Sequence, residues 1–500
     1  MSSNSDQIVQ QIQHDFKELI EYVTGKESQS HTAYQVELTL FRRLLALGRQ
    51  LLYLFFVQRA AVRPKEPAAP DGTRLTYQNK NPTTYFSVFG KVRFRRHYFH
   101  APGQKGICPL DAELSLPPRC YSDLLRDWAE YGTTSESYDE SIRLLERILD
   151  LGLSKQALET AVAEDAVEVE AFYEQKAPPP PESEGAILVI QADGKGVPMV
   201  RNKPAQPSPR LSKGQKRTKK KEAIVTAIYT IEPYWRTAQQ VVDALMRDAE
   251  GEEKAPPPAA TLPQRPAPVG KEVRATLAGK DVALDRLSRR VAQREGEHIQ
   301  QRAALTDGAE ALQKRVCAQF PGFELVLDIM HALGYLWDGA NALLGETHPD
   351  RTAWVKKHLL LILSGRTSAV IESLESVAQD PTTSDTQRKV LNTTIGYYRR
   401  NLPYMRYDQY LAKGWPISSG VVEGACGHLV KDRMEQSGMR WTKQGAQAIL
   451  DMRAVRVNDD WDEYHQFRRQ CQHQRLYSAH STVIPMAEVF VLKQIVEVAA

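Results

Sequence analysis

The amino-acid sequence predicts an α/β protein with a mainly helical N-terminal domain that contains a short β segment. Short apolar runs typical of buried strands end in turn residues or a carboxylate at AILVIQADGKG from Ala186, RAALTDG from Arg302 and ELVLDIMH from Glu324 to His331. Helical segments separate these runs, and strands in succession with helices indicate one mixed α/β domain. Helical periodicity also fills residues 5 to 62 and most of residues 332 to 411.

The composition is that of a globular chain in a reducing compartment. The 500 residues are too many for one ordinary core, so about two to four domains are expected. The net charge is only +4, so attraction to a polyanion must come from local patches. Five scattered cysteines without a CxxC pair argue against a disulfide framework and a cysteine zinc site. We expect a cytoplasmic protein, because neither a secretory signal nor a membrane-spanning run is evident.

The N-terminal segment is predicted to be one long amphipathic helix over residues 5 to 62, followed by a loop over residues 63 to 75. Such a helix serves a dimer or covers a domain. Its core-facing candidates are Leu40, Leu44, Leu47, Leu51 and Leu54.

Ser87 to Phe99, SVFGKVRFRRHYF, is predicted to be a basic strand. Strand alternation separates a basic face from an apolar one. The basic face holds Lys91, Arg93, Arg95 and His97, and the apolar face holds Val92, Phe94 and Tyr98. A basic ribbon with interleaved aromatic residues suits phosphate contacts, and it equally suits a solvated sheet face.

Residues 137 to 176 follow a helix–turn–helix pattern, in which Ser137 and Glu140 have the spacing of a capping box and Ser154 is a second N-cap. DNA-reading motifs share this pattern. The second helix carries six acidic residues without a basic partner, which favours packing or oligomerisation over base reading.

Proline-rich segments mark the predicted domain boundaries. A stiff linker at residues 177–184 ends an N-terminal DNA-binding or oligomerisation region, residues 1–176. Residues 255–270 are a second proline-rich segment, expected to be a flexible excursion. Between them a basic loop, residues 210–221, is a candidate for phosphate contacts through Lys213, Lys216, Arg217, Lys219 and Lys220.

Three carboxylates carry the candidate chemistry. Asp193 and Asp307 each end a buried strand, and Glu423 lies in the first turn of the helix that follows KGWPISSG. Carboxylate oxygens are the ligands that Mg²⁺ prefers, and two such ions promote in-line displacement at phosphorus. The chain has no GxxxxGK[ST] loop, no HExxH motif and no GxSxG motif.

Three blocks of the sequence resemble those of bacterial insertion-sequence DDE transposases, Kra-type elements related to the Mutator-like group in particular. They are LVIQADGKGVPM, ALTDGAEALQKRVCAQFPGFELVLDIMHALGYLW and GWPISSGVVEGACGHLVKDRMEQSGMRW, in that order within residues 185 to 456. The resemblance implies a ribonuclease-H-like catalytic core, residues 185–335 and 413–500, interrupted by a helical insertion, residues 336–412.

The resemblance also implies the roles of five residues. Asp193, Asp307 and Glu423 would be the catalytic, metal-binding triad, with Mg²⁺ or Mn²⁺ as cofactor. Asp328 and His331 would form an accessory pair. In a ribonuclease-H-like sheet the first and second Asp belong to neighbouring strands, which favours Asp307 over Asp328 as the second ligand.

The expected function is metal-dependent DNA strand cleavage and strand transfer at the terminal repeats of an insertion sequence. The expected partners are double-stranded DNA, as element ends and as target, and further copies of the chain on that DNA, in the bacterial cytoplasm at the nucleoid. Alternatives are a structure-selective nuclease of the same fold and a catalytically idle DNA-binding protein. Further DNA-binding candidates are Lys195, Lys431, Arg433 and Arg440.

Overall fold

The computed structural model describes residues 4–69, 71–117, 119, 121–200, 220–246, 264–436 and 438–477. The chain divides into two compact units, residues 1–161 with 462–500 and residues 162–461. The proline-rich linker, residues 177–184, lies within the second unit, where Pro181–Ser183 form one turn of 3₁₀ helix. The domain division read from the sequence stays a prediction.

Most of the first unit is helical, with one β-hairpin. Its elements, in chain order, are α1 (Asn4–Thr24), α2 (Lys26–Gln29), α3 (Ala33–Ala61), β1 (Thr76–Ser87), β2 (Gly90–His100), α4 (Pro109–Glu113), α5 (Asp123–Thr133), α6 (Tyr138–Leu149) and the start of α7 (Lys155–Asp165). The capping of α6 by Ser137, which accepts a hydrogen bond from the Glu140 N–H, confirms the predicted helix start.

The second unit is a mixed α/β structure. Its elements before the last strand are α8 (Val169–Gln175), β3 (Ile187–Pro198), β4 (Lys220–Ile231), α9 (Ala238–Leu245), β5 (Val269–Thr276), α10 (Lys280–Arg294), β6 (Gln301–Thr306) and α11 (Glu310–Gln319). Then come β7 (Glu324–Leu327), α12 (Ile329–Leu344), α13 (Arg351–Leu363), α14 (Thr367–Gln379), α15 (Asp385–Asn401), α16 (Tyr407–Ala412), α17 (Gly420–Ala425), α18 (Asp432–Met434) and α19 (Lys443–Val457). A last helix, α20 (Trp461–Tyr477), begins at the end of this unit. None of the helices in the described residues is long and apolar enough to cross a membrane.

The predicted single helix over residues 5 to 62 is wrong, because the structure breaks it into α1, α2 and α3. A Cβ at Gly25 would lie 2.5 Å from the Glu21 carbonyl oxygen, so the chain turns where only glycine fits. Two of the predicted core residues, Leu44 and Leu51, are about half exposed. The buried positions of α3 are instead Phe56 and Ala60, which pack against the hairpin.

The predicted basic strand is the second half of a hairpin. Strand β1 was not predicted, because its sequence, TYQNKNPTTYFS, has few apolar residues and contains Pro82. Exposure of Lys91, Arg93 and Arg95 confirms the predicted basic face. His97 was assigned to that face wrongly: the alternation in β2 slips by one residue near a register shift in β1, and His97 is buried.

A five-stranded sheet in the order β5-β4-β3-β6-β7 forms the centre of the second unit. Strands β5, β4 and β3 pair antiparallel, whereas β3, β6 and β7 pair parallel. Alternate residues of β3 enter two different cores. Ile187 and Val189 pack with residues of α12 to α16, and Leu188 and Ile190 pack with residues of α10 and α11. The sheet is therefore buried on both faces, as the apolar run in the sequence predicts.

Three boundaries differ from the prediction. Asp193 was predicted to end its strand, but β3 continues through Asp193 to Pro198, because it stays paired with β4 over that length. The strand expected over Glu324 to His331 ends at Leu327, because the Asp328 side chain accepts a hydrogen bond from the His331 N–H and caps α12. The second proline-rich segment was predicted to extend to residue 270, but β5 begins at Val269. Residues 255–263 of that prediction lie outside the described part of the chain. Helices α12 to α16 confirm the predicted helical character of residues 336–412.

A buried ion pair stabilises the start of the sheet. The Arg294 Nε donates to Glu184 Oε1 at 2.8 Å, and both side chains are 1% exposed. The Nε2 of His298 lies 3.1 Å from the other oxygen of Glu184. Charged groups removed from water in this way depend on their partners.

Replacement of Arg294 by Leu is expected to destabilise the second unit by about 3–5 kcal/mol, because the Glu184 carboxylate would stay buried without its main partner. The matched control is Arg302→Leu, which removes an exposed pair with Glu295 and should cost about 1 kcal/mol at most. Urea unfolding followed by hydrogen exchange in β3 and β4 measures both. Equal losses for the two variants would contradict the expectation.

Candidate active site

Three aspartates lie level with one another across the three parallel strands of the sheet. Ile187 of β3 pairs with Gln301 of β6, and Asp193 and Asp307 each lie six residues further along. Ala303 of β6 pairs in turn with Glu324 of β7, and Asp307 and Asp328 each lie four residues beyond these. Continuation of the two registers therefore aligns Asp193, Asp307 and Asp328 across three adjacent parallel strands. Asp193 and Asp307 therefore belong to the neighbouring strands β3 and β6, and the resemblance led us to expect this arrangement of the first and second Asp.

Glu423 reaches this row because hydrogen bonds fix the start of α17 on the sheet. The side-chain oxygen of Gln191 in β3 accepts from the Val422 N–H at 2.9 Å. The backbone N–H of Ser419 donates to Asp328 Oδ1 at 2.8 Å, and the Ser419 hydroxyl donates to Glu423 Oε1 at 3.1 Å. One serine thus connects two of the carboxylates.

Asp328, His331 and Glu423 form a group whose potential ligand atoms all lie within 4.8 Å of one another. The Nδ1 of His331 lies 2.8 Å from Asp328 Oδ2 and 3.5 Å from Glu423 Oε1. The side chains of His331 and Glu423 are 39% and 38% exposed, so a ligand from solvent can reach them. Asp328 is completely buried.

The close negative charges change the pKa values of this group. The hydrogen bond that the His331 ring donates to Asp328 raises the pKa of His331, although burial opposes the rise. Burial raises the pKa of Glu423, and the carboxylates of Asp328 and Asp193 add to the effect. Burial also acts to raise the pKa of Asp328, but its hydrogen bonds from His331 and Ser419 outweigh burial and lower it.

Asp193 and Asp307 border this group. Asp307 also raises the pKa of His331, and Asp193 raises that of Glu423, so all five side chains share one electrostatic environment. Asp193 Oδ1 accepts from the Gly194 N–H at 2.6 Å, and the Cys426 thiol donates to Oδ2 at 3.3 Å. The residue is partly exposed.

Asp307 keeps more of its carboxylate available than Asp328 does. Its Oδ1 accepts one hydrogen bond, from the Ala309 N–H at 2.9 Å. Asp328 instead accepts three: two at Oδ2 from the backbone and ring of His331, and one at Oδ1 from Ser419. Few lone pairs of Asp328 remain for a cation. The Asp328 side chain is fully buried.

Helix α15 holds the Asp307 turn in place, a feature that the sequence analysis missed. The Tyr397 hydroxyl donates to the Asp307 carbonyl oxygen at 2.8 Å, and an Arg400 Nη donates to that of Gly308 at 3.0 Å. Gly308 has a φ of +89°, and a Cβ there would lie 2.6 Å from the Tyr397 hydroxyl. Gln191 was also missed, although a lone amide within an apolar strand signals a buried hydrogen bond.

The donor set fits a hard divalent cation. Asp328, His331 and Glu423 lie within ligand distance of one another, and Asp307 and Asp193 lie close enough to affect the pKa values of His331 and Glu423. Carboxylate oxygens are the ligands of Mg²⁺ and Mn²⁺. Asp193, Asp307 and Glu423 are partly exposed, whereas the buried Asp328 accepts hydrogen bonds from Ser419 and His331, the two residues that lie against Glu423.

The structure divides the predicted DNA-binding side chains into four groups. Lys91, Arg93, Arg95, Lys431 and Arg440 are exposed, and Lys195 is partly exposed. Lys220 lies in β4 and pairs with Glu435. Arg433 is fully buried, with its guanidinium 4.8 Å from the Trp441 ring centroid, so we leave it out of any phosphate-binding surface. The remaining candidates, Lys213, Lys216, Arg217 and Lys219, lie outside the described residues.

Comparison with known proteins gives a match to a protein family and matches to solved structures. A model of an uncharacterised protein family, UPF0236, matches residues 63–242, about a third of the chain, which include Asp193 but not the other site residues. A structure of the Drosophila P element transposase strand transfer complex matches with a TM-score of 0.24 and 8% identity, over 70% of this chain and 80% of that one. No curated protein matches.

Proposed function

We propose that this protein is a DDE transposase of the Kra type, related to the Mutator-like group, with a ribonuclease-H-like core. It would bind the terminal repeats of its insertion sequence and cleave and transfer DNA strands in the presence of Mg²⁺ or Mn²⁺. The observation that carries the proposal is the alignment of Asp193 and Asp307 on neighbouring parallel strands, with Glu423 brought to them by Gln191 and Ser419. The strand order of the sheet, three antiparallel strands followed by two parallel ones, supports the proposed core.

Asp193, Asp307 and Glu423 would hold the cations. Bound divalent ions supply activation of the attacking oxygen and stabilisation of the leaving oxygen at phosphorus. The chain itself positions the ligands: Ser419 and His331 orient Glu423, and Tyr397 fixes the turn after Asp307. Asp328 would act through His331 and Ser419 and not as a ligand.

The deciding experiment is a joining assay with DNA that carries a labelled end of the element. The sequence of that end is taken from the inverted repeats that flank the gene. A transposase cleaves at the repeat and joins the 3′ end to target DNA, and chelation of Mg²⁺ stops both steps. Cleavage without joined product would indicate a structure-selective nuclease. Binding without metal-dependent nicking would indicate a catalytically idle protein.

The partners would be double-stranded DNA, as element ends and target, and other copies of the chain assembled on it, in the bacterial cytoplasm at the nucleoid. The exposed face of β2 offers phosphate contacts that do not depend on base sequence.

Replacement of Arg93 and Arg95 by Ala is expected to flatten the plot of log affinity against log salt by about one unit for each lost phosphate contact. Affinity should fall for all duplex sequences alike, because phosphates carry no sequence information. The matched control is Arg74→Ala, whose guanidinium is exposed but paired with Glu66 in the same unit. An unchanged slope would show that Arg93 and Arg95 belong to a solvated sheet face and do not contact phosphates.

A further inference from the structure

A cleft of about 720 Å³ lies in the first unit, where α3, the turn of the β-hairpin and the loop between α6 and α7 meet. Glycines shape it. Gly48 lets the Phe89 ring lie directly on α3, since a Cβ there would be 2.7 Å from ring atoms. Gly90, with a φ of +107°, turns the hairpin, and the Arg49 side chain lies against it.

Four cations line this cleft without carboxylate partners. Among the described residues, no acidic side chain lies within ion-pair distance of Arg42, Arg49, Lys91 or Arg147, although Asp150 also lines the cleft. Other arginines of the same unit are paired, as Arg59 is with Glu113, Arg96 with Asp111 and Arg143 with Glu140. The unpaired cations therefore concentrate positive charge in the cleft, which favours an anionic ligand.

The same cleft exposes apolar surface. Leu38, Phe41, Phe89 and Ile148 are 38–48% exposed, more than core residues would be. The bases of a duplex are covered by their own stack, so duplex phosphates would use only the cations. Unpaired nucleotides present both phosphates and flat base faces, and bases stack on aromatic rings with little regard to sequence.

We propose that this cleft binds a short unpaired stretch of DNA, with its phosphates on the four cations and its bases against Phe41 and Phe89. The exposed arginines of β2 follow Lys91 along the same strand, so adjoining duplex would lie on that face. This inference rests on the proposed function. The cleft would recognise single-stranded nucleotides that lie beside a cut or opened end of the element.

The test measures fluorescence anisotropy of the full-length protein in EDTA, with a labelled ten-nucleotide oligothymidylate and with a duplex of equal length. Phe41→Ala should weaken binding of the oligothymidylate about tenfold and leave duplex binding within about twofold. The matched control, Phe55→Ala, removes an equally exposed phenylalanine of α3 outside the cleft and should change neither. Phe41→Leu, which keeps an apolar side chain but removes the ring, should weaken oligothymidylate binding in the same direction.

A second pair of variants tests the cations. Arg147→Ala should lower the slope of log affinity against log salt for the single strand by about 0.7, and Arg143→Ala, one turn earlier on α6, should not. Equal losses for single strand and duplex, or equal losses for each variant and its control, would overturn the proposal. A change in oligomeric mass with Phe41→Ala, without loss of oligothymidylate binding, would also overturn it and indicate a protein interface. Failure of the proposed function would show separately, as absence of metal-dependent cleavage by the unaltered protein.

Discussion

Asp193→Asn is expected to lower the rate of DNA cleavage about 1,000-fold or more while leaving binding of the element end unchanged. Loss of one carboxylate weakens the clamp on the cations, which contribute several kcal/mol to the transition state, and each 1.36 kcal/mol is a tenfold change in rate. Glu423→Gln should have a similar effect, because Glu423 offers its carboxylate to the same space as Asp193.

The measurement is a single-turnover cleavage assay with labelled element ends, accompanied by a gel shift in EDTA. The matched control is Glu222→Gln, a nearby carboxylate on β4 that pairs with Lys280. The control should cleave at the normal rate. A fully active Asp193→Asn protein would refute the assignment of the site.

The second large effect should separate Asp307 from Asp328. Asp307→Asn is expected to slow cleavage about 1,000-fold without changing the free energy of unfolding, because its side chain makes one hydrogen bond, to Ala309 N–H. Asp328→Asn should slow cleavage only about 10- to 100-fold, as loss of a group that positions a ligand does. It should also cost about 1–3 kcal/mol of stability, since Asp328 is buried and accepts hydrogen bonds from His331 and Ser419.

Titration calorimetry with Mn²⁺ adds a measurement that does not depend on turnover. Mn²⁺ affinity should fall strongly in Asp307→Asn and moderately in Asp328→Asn. The reverse order, with Asp328→Asn losing the ion and cleavage together, would make Asp328 the second ligand, with Asp307 as its neighbour.

Strands buried on both faces could be predicted from the sequence, because a run such as Ile187 to Ile190 must be covered on each side. The exposed residues of β2 also followed from simple alternation, up to Arg95. The predictions from sequence were wrong where a single residue changes the course of the backbone. Gly25 ends a helix, and the slip before His97 moves its ring to the interior; neither is visible in periodicity.

The candidate site was predictable as a set of residue types but not as a geometry. Acidic residues directly after apolar runs indicated Asp193 and Asp307, yet only the paired registers show that Asp328 lies level with them. The links through Gln191, Ser419 and Tyr397 join segments distant in sequence, so local pattern carries no information about them.

Glu423 lies in α17, which follows α12 to α16 in the chain, so the ribosome synthesises it only after all of those helices. At about 5–20 residues per second, synthesis of those helices takes on the order of ten seconds after the last strand has emerged. During that interval the nascent chain holds three aspartates but lacks the glutamate, so a truncated or half-made protein cannot complete the ligand set. Under the proposed function, a chain that ends before Glu423 would therefore lack one of its three cation ligands and would not cleave DNA.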